Sequence, residues 1–177
     1  MYSLKAALQA DPTWNGQKNR FEGTPDEGFY TFTQIYASWA ASQAYYKQEV
    51  WKTLPNSDYT CLEDYIARGW EAGYRKRDPH NLLAMIDTWL QCDISDNPVF
   101  RGDLGKAFAS IQAKCLIMPA ETDLYFPPED CQAEANMIAN SQFLPIPSIW
   151  GHRAGNPYQN PQDEAFLRTA VHEFLDA

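Results

Sequence analysis

Asp123 and His152 are the residues whose types and setting best suit chemistry. Each follows a short apolar run bounded by polar residues, Lys114-Cys115-Leu116-Ile117-Met118-Pro119 and Gln142-Phe143-Leu144-Pro145-Ile146-Pro147. Both runs read as short strands. The first reads as a buried parallel strand, and the prolines of the second place it at a sheet edge. In open α/β sheets, ligands bind beyond the carboxyl ends of the strands, and neighbouring strand ends lie about 5 Å apart. A carboxylate and an imidazole on two such loops can reach one another. The carboxylate then fixes the tautomer of the His and stabilises the imidazolium, while the His takes a proton from a nucleophile. The plainer alternative is that Asp123 caps its own turn and His152 packs against Trp150. Spacing alone leaves both open. A nucleophile is harder to find, because no Gly-x-Ser-x-Gly motif occurs, and Ser38, Ser42, Ser110 and Ser148 all lack flanking glycines.

The elements that must position these loops are mostly helices. Residues 3–10 read as the end of a helix, stopped by Asp11-Pro12, with a Gly-, Asn- and Pro-rich loop over 12–28. Phe29, Phe32, Tyr36, Trp39, Gln43, Tyr46 and Val50 step by three and four, which predicts one helix of about six turns. Such an aromatic stripe serves as core or lid packing, or as a ligand cage. Thr60 and Glu63 match a capping box that opens a second helix, with Leu62, Ile66, Trp70 and Tyr74 on its apolar face. Arg75, Lys76 and Arg77 in its last turn either complement the helix dipole or form an anion patch. Pro79 breaks the chain before a third helix, which carries Leu82, Leu83, Met85, Ile86, Trp89 and Leu90, with His80 near its start as a capping or surface group.

Asp93, Ser95 and Asp96 read as a turn, since EF-hand spacing is lacking. Asp103 opens a short amphipathic helix with Leu104, Phe108 and Ile111. Pro127-Pro128 start another, with Ala133, Met137 and Ile138 inward. Asn160 and Pro161 open a last helix whose buried face is Phe166, Leu167, Ala170, Val171 and Phe174. The second half is thus helix, strand, helix, strand, helix, with one right-handed crossover. Two strands make no stable sheet alone, which hints at an incomplete fold.

Composition narrows the function. Acids outnumber bases by 23 to 14, a formal charge of -9, which argues against binding a nucleic-acid backbone. No apolar run reaches the roughly 18 residues a membrane span needs. The N-terminal MYSLKAALQADPTW has no signal-peptide core, so a cytoplasmic location is expected. Cys61, Cys92, Cys115 and Cys131 include no C-x-x-C pair and read as free thiols, with Cys115 a small core residue; no metal site is expected.

The motifs AMIDTWLQCDISD, GDLGKAF, DLYFPPED and IPSIWGHRAG together resemble the homoserine O-acetyltransferase-like branch of the α/β-hydrolase superfamily. ALQADPTWNG resembles the segment that leads into that family's helical lid. The likeness covers nearly the whole chain but only the C-terminal half of a family member. It implies an α/β fold, mostly helical in this chain: the C-terminal part of an α/β-hydrolase, with about two parallel strands and flanking helices, preceded by a lid. Residues 1–19 are then the end of a hydrolase-core helix, 20–100 the lid, and 101–177 the last segment of the hydrolase domain.

By the same likeness Asp123 is the acid and His152 the base of a Ser-Asp-His triad. The nucleophile elbow is expected upstream of Met1, so Met1 is an internal Met of a longer protein, the start of a truncated frame or the start of a split subunit. Homoserine acetyltransferases proper carry an Asp directly after the His, where it helps hold the amino-acid substrate. Here the position is Arg153, which disfavours a substrate ammonium and suits a carboxylate or an amine-free substrate; the alternative is that it points to solvent. The implied partners are a small-molecule acyl donor and acceptor, with acyl-CoA one possible donor, no bound cofactor, and self-association or a missing N-terminal half to complete the sheet. The chain alone is expected to be inactive. The competing reading is a non-catalytic helical interaction module, or a subunit that complements a separate N-terminal half.

Overall fold

The computed structural model describes residues 1–55 and 57–176. They form two compact units, Met1–Ser38 with Ser57–Cys92, and Trp39–Asn56 with Asp93–Ala177.

In the first unit, α1 (Tyr2–Gln9) turns its apolar side inward through Leu4, Ala7 and Leu8. Asp11 terminates it. Its carboxylate is 5% exposed and accepts hydrogen bonds from the Thr13 N–H at 2.8 Å, the Thr13 hydroxyl at 2.6 Å and the Gly28 N–H at 2.9 Å. Gly28 sits in the first turn of α2 (Asp26–Ala40), where a side chain would meet the Leu8 carbonyl at 3.3 Å. One buried carboxylate therefore joins the end of α1 to the start of α2.

The segment expected to be only a loop, 12–28, also holds a small antiparallel hairpin, β1 (Trp14–Asn15) and β2 (Arg20–Phe21). Trp14 and Phe21 face each other across it, edge to face at 4.9 Å. Two-residue strands are too short to show alternation, which is why the pattern concealed them. The Phe21 N–H donates to His80 Nε2 at 3.1 Å, so His80 anchors the hairpin to the start of α6 (Pro79–Gln91). Asp78 caps α6 by accepting from the N–H groups of His80 and Asn81.

The single six-turn helix expected from Phe29 to Val50 is three pieces. After α2 the chain breaks at Ala41-Ser42, continues as α3 (Gln43–Lys47), and ends in a 3-10 turn, Val50–Thr53. Ser42 makes the break. It adopts extended backbone, caps α3 by accepting from the Tyr45 N–H, and donates its hydroxyl to the Ile149 carbonyl. The aromatic stripe is packing: Phe29 and Phe32 are buried with Leu4, Leu8, Leu82 and Ile86, and Tyr36 lies edge-on to Trp70 and Tyr74.

The second predicted helix starts at Leu62 rather than Thr60. The Thr60 N–H is taken by Asp64, not Glu63, and Leu62 is exposed. The helix runs as α4 (Leu62–Tyr65), a π-helical stretch (Ile66–Glu71) and α5 (Ala72–Tyr74). Gly69 lies where a Cβ would come within 3.1 Å of the Tyr65 ring. Within the basic cluster after it, two of the three cations have partners in the fold. Arg75 pairs with Glu71 and Asp26, and Arg77 covers the face of Tyr74.

In the second unit, β3 (Cys115–Ile117) and β4 (Ser141–Phe143) pair in parallel, Cys115 opposite Ser141 and Ile117 opposite Phe143. The ladder continues to a bridge between Ala120 and Ile146. The strands are half-buried rather than buried, and Cys115 with them, because each has a strand on one edge only among the described residues. Around them lie α7 (Leu104–Ala109), capped by Asp103, α8 (Pro128–Ala135), with Pro128 at its first position, and α9 (Pro161–Asp176). The Asp163 N–H donates to the Asn160 side chain at the start of α9. Three predicted core positions lie outside: Leu104, Ala133 and Val171 are exposed. Ala107, Ala135 and Ala170, one turn away or less, are buried, as is the predicted Ile138. No helix among the described residues is long and apolar enough to cross a membrane.

Asp11→Ala leaves three donors without their acceptor, one of them the buried Gly28 N–H. It should lower folding stability by about 2–3 kcal/mol, read from urea unfolding. A change under a few tenths would show that α1 and α2 do not depend on this carboxylate.

Candidate functional site

The site is built on the two loops that leave the β3–β4 ladder, both within the second unit. Asp123 follows the Ala120–Ile146 bridge in a turn closed by its own N–H on the Ala120 carbonyl. Its Oδ1 accepts from the N–H groups of Tyr125 at 2.7 Å and Phe126 at 3.1 Å. Its Oδ2 lies 3.0 Å from His152 Nδ1. The two readings of Asp123 hold at once: one oxygen caps the turn and the other meets the imidazole. Burial alone would raise the Asp123 pKa; the bond to His152 and the two N–H groups outweigh it and hold the carboxyl below the usual carboxylate range.

His152 sits in a 3-10 turn, Gly151–Gly155. A carboxylate at Nδ1 favours the tautomer with its proton there, which leaves Nε2 as a lone pair. The His152 side chain is 30% exposed against 5% for Asp123, so the acid is shielded while the ring can be reached. Tyr125 and Phe126 flank the imidazole at 4.6 and 5.3 Å between ring centres. Trp150, the packing neighbour of His152 in the plainer alternative, lies under Arg153, whose guanidinium is 5.0 Å from its ring and donates to the Tyr45 hydroxyl at 3.1 Å. Arg153 therefore does not simply point to solvent.

The four serines weighed as nucleophiles donate elsewhere: Ser38 to the Ile35 carbonyl, Ser42 to Ile149, Ser110 to Ala107 and Ser148 to Asp163. The cysteines are all free, and no cluster that could hold a metal occurs among the described residues.

Two residues that the sequence did not single out hold the loops together. The Thr122 hydroxyl donates to the Ser148 carbonyl at 2.8 Å and accepts from the Gly151 N–H at 3.2 Å, which ties the acid loop to the base loop. Gly151 has φ of 61°, and a Cβ there would fall 2.8 Å from the Ser42 nitrogen and 3.2 Å from the Ala41 carbonyl carbon. Only glycine fits. A Gly next to a candidate base was the one available signal.

With this geometry established, the likeness to known proteins becomes informative. No family model matches the chain. Over 151 residues it is 30% identical to "Probable esterase Cgl0839" of Corynebacterium glutamicum, a match covering 85% of this chain and 42% of that one. It is 29% identical over 149 residues to the ethyl acetate hydrolase of Pseudomonas veronii, covering 84% of this chain and 41% of the hydrolase. The solved acetyl esterase MekB superposes with a TM-score of 0.87 at 27% identity, covering 98% of this chain and 49% of the esterase. A homoserine O-acetyltransferase of Nostoc punctiforme matches at 22%. These likenesses support an α/β-hydrolase-like family, with esterases ahead of the homoserine acetyltransferases that the motifs first suggested. The chain spans less than half the length of the relatives it matches.

Gly151→Ala should cost roughly 2–3 kcal/mol in urea unfolding, from positive-φ strain and backbone overlap. Thr122→Val, which keeps shape but removes both hydrogen bonds, should cost about 1–3 kcal/mol. Retained stability in both would mean the two loops are set by something else.

The Asp123 shift also has a sign. A folded-state pKa below the unfolded one means that ionised Asp123 stabilises the fold above its ordinary value of 3.8, and that this contribution is lost as pH falls below it. Urea midpoints between about pH 5 and pH 2 should therefore fall less steeply for Asp123→Asn than for the parent chain.

Proposed function

We propose that this chain supplies the acid and the base of a serine-type ester hydrolase acting on small acyl esters. The observation that carries the reading is the Asp123–His152 pair, 3.0 Å apart on loops that follow two parallel strands, with the imidazole reachable and the carboxylate shielded. In the intact enzyme a Ser from outside this chain would attack the ester carbonyl and form an acyl-enzyme. His152 Nε2 would take the Ser proton and pass it to the departing alcohol, while Asp123 stabilises the imidazolium. Water, activated by the same Nε2, would then release the acid.

Hydrolysis is favoured over transfer because the more similar relatives are named as hydrolases. In the transfer variant the acyl donor would be an ester or acyl-CoA, the acceptor an alcohol, and the helices of residues 20–100 a lid that keeps water out. Arg153, next to the base, is the group that would meet a substrate carboxylate and repel an ammonium; homoserine therefore suits this site poorly. The open edge of the two-stranded sheet is where we place the strands of an N-terminal half, or failing that a second copy of the chain.

The chain alone should not turn over 4-nitrophenyl acetate. Sustained turnover lost in a Ser38→Ala, Ser42→Ala, Ser110→Ala or Ser148→Ala variant would show that a nucleophile is present after all. The positive test places these residues behind the first half of MekB, the esterase they resemble. Hydrolysis by that folded chimera should drop about 10³–10⁴-fold in kcat with His152→Gln or Asp123→Asn. A chimera whose activity ignores both substitutions would end the reading.

A further inference from the structure

We propose that Asp163 is a positioning residue for His152, holding the turn that carries the imidazole through the hydroxyl of Ser148. This rests on the reading of His152 as a base.

Several polar groups of that turn have named partners. The Ser148 N–H donates to the Ile146 carbonyl at 2.8 Å, at the end of the strand ladder. The Ser148 carbonyl accepts from Thr122 and the Ile149 carbonyl from Ser42. The Trp150 N–H donates to Ser148 Oγ at 3.1 Å, and Ser148 Oγ donates in turn to Asp163 Oδ2 at 2.5 Å. The Ser148 hydroxyl has one proton and can rotate about its bond. Only an acceptor fixed on the far side makes its lone pair face the Trp150 N–H. Asp163 is that acceptor. It lies in the first turn of α9, which the Asn160 side chain caps through the Asp163 N–H, and it is only 5% exposed, so its carboxylate is enclosed where it meets Ser148.

Burying this carboxylate is costly. Desolvation pushes the Asp163 pKa up, and the Ser148 bond only partly opposes that. An apolar residue would avoid the penalty, so a carboxylate here calls for a use. The hydroxyl it orients sits four residues before His152, while the Asp123 pair approaches the same ring from the other loop. Asp163 thus acts on where the ring is, and Asp123 on which nitrogen holds the proton. Asp163 bonds to the Ser148 hydroxyl, whereas Asp123 bonds to the imidazole itself.

The test uses the 177-residue chain and the ¹H and ¹⁵N resonances of its imidazoles, with His152 assigned through a His152→Gln variant. The parent should show a downfield, slowly exchanging Nδ1 proton on His152 that disappears in Asp123→Asn. Asp163→Val, which removes the acceptor, should lose or shift that signal upfield although circular dichroism shows a folded chain. Asp163→Asn keeps an acceptor oxygen for Ser148 and should restore it. Ser148→Ala should reproduce Asp163→Val, and the double variant should be no worse than either. If Asp163→Val does not fold, Ser148→Ala, which removes a single oxygen, carries the test.

A His152 signal intact in folded Asp163→Val or Ser148→Ala overturns the anchor while leaving the Asp–His pair standing. So do losses that add in the double variant. A parent chain with no Asp123-dependent signal overturns the pair, and the anchor with it.

Discussion

The turn that carries His152 passes the α2–α3 junction at backbone-to-backbone distance, close enough that a Cβ on Gly151 would sit 2.8 Å from the Ser42 nitrogen. Much of the candidate site depends on that approach. It places the Ile149 carbonyl within reach of the Ser42 hydroxyl, and that hydroxyl in turn accepts the Tyr45 N–H that opens α3. The same turn brings Arg153 over Trp150 and onto the Tyr45 hydroxyl. Helix break, base loop and cation are therefore one packed arrangement, set by a residue with no side chain.

Hydroxyls and carboxylates do the remaining work. A turn near the end of a sheet carries backbone groups that no ladder can satisfy, and leaving them unpaired inside the protein is costly. Thr122 and Ser148 answer this by each accepting one N–H and donating one O–H. The buried carboxylates are satisfied differently. Asp11 and Asp123 collect N–H donors and are held ionised, below the usual carboxylate range, whereas Asp163 has a single hydroxyl and is pushed the other way. Burial is common to all three; the number and kind of donors separates them.

This division bears on the chemistry proposed. A base must keep its ring in place while its proton moves, and a ring on a loose turn would lose most of the benefit of orientation. Here the acid is shielded, the ring is flanked by Tyr125 and Phe126, and the loop behind it is tied at several points. What the chain does not hold is a serine within a nucleophile elbow, and it spans less than half of each relative it resembles. The proposed triad would take its serine from elsewhere; what this chain holds is the Asp123–His152 contact.

The sequence by itself determined the local features whose causes are local. Apolar runs with flanking polar residues located both parallel strands, and Asn160-Pro161 marked a helix start; the same runs put Asp123 and His152 on neighbouring loops, while their contact is a tertiary fact. Helical periodicity also found the aromatic core, but it could not see the break at Ser42, because that break exists only where the Ile149 carbonyl meets the hydroxyl. Nor could it find the hairpin, whose strands are two residues long. It overestimated the burial of β3, since that depends on neighbouring strands rather than on the run itself. Thr122 and Asp163 read as ordinary polar residues along the chain, and Ser148 only as a serine without flanking glycines. Their roles come from partners far away in sequence, and only the tertiary structure supplies those.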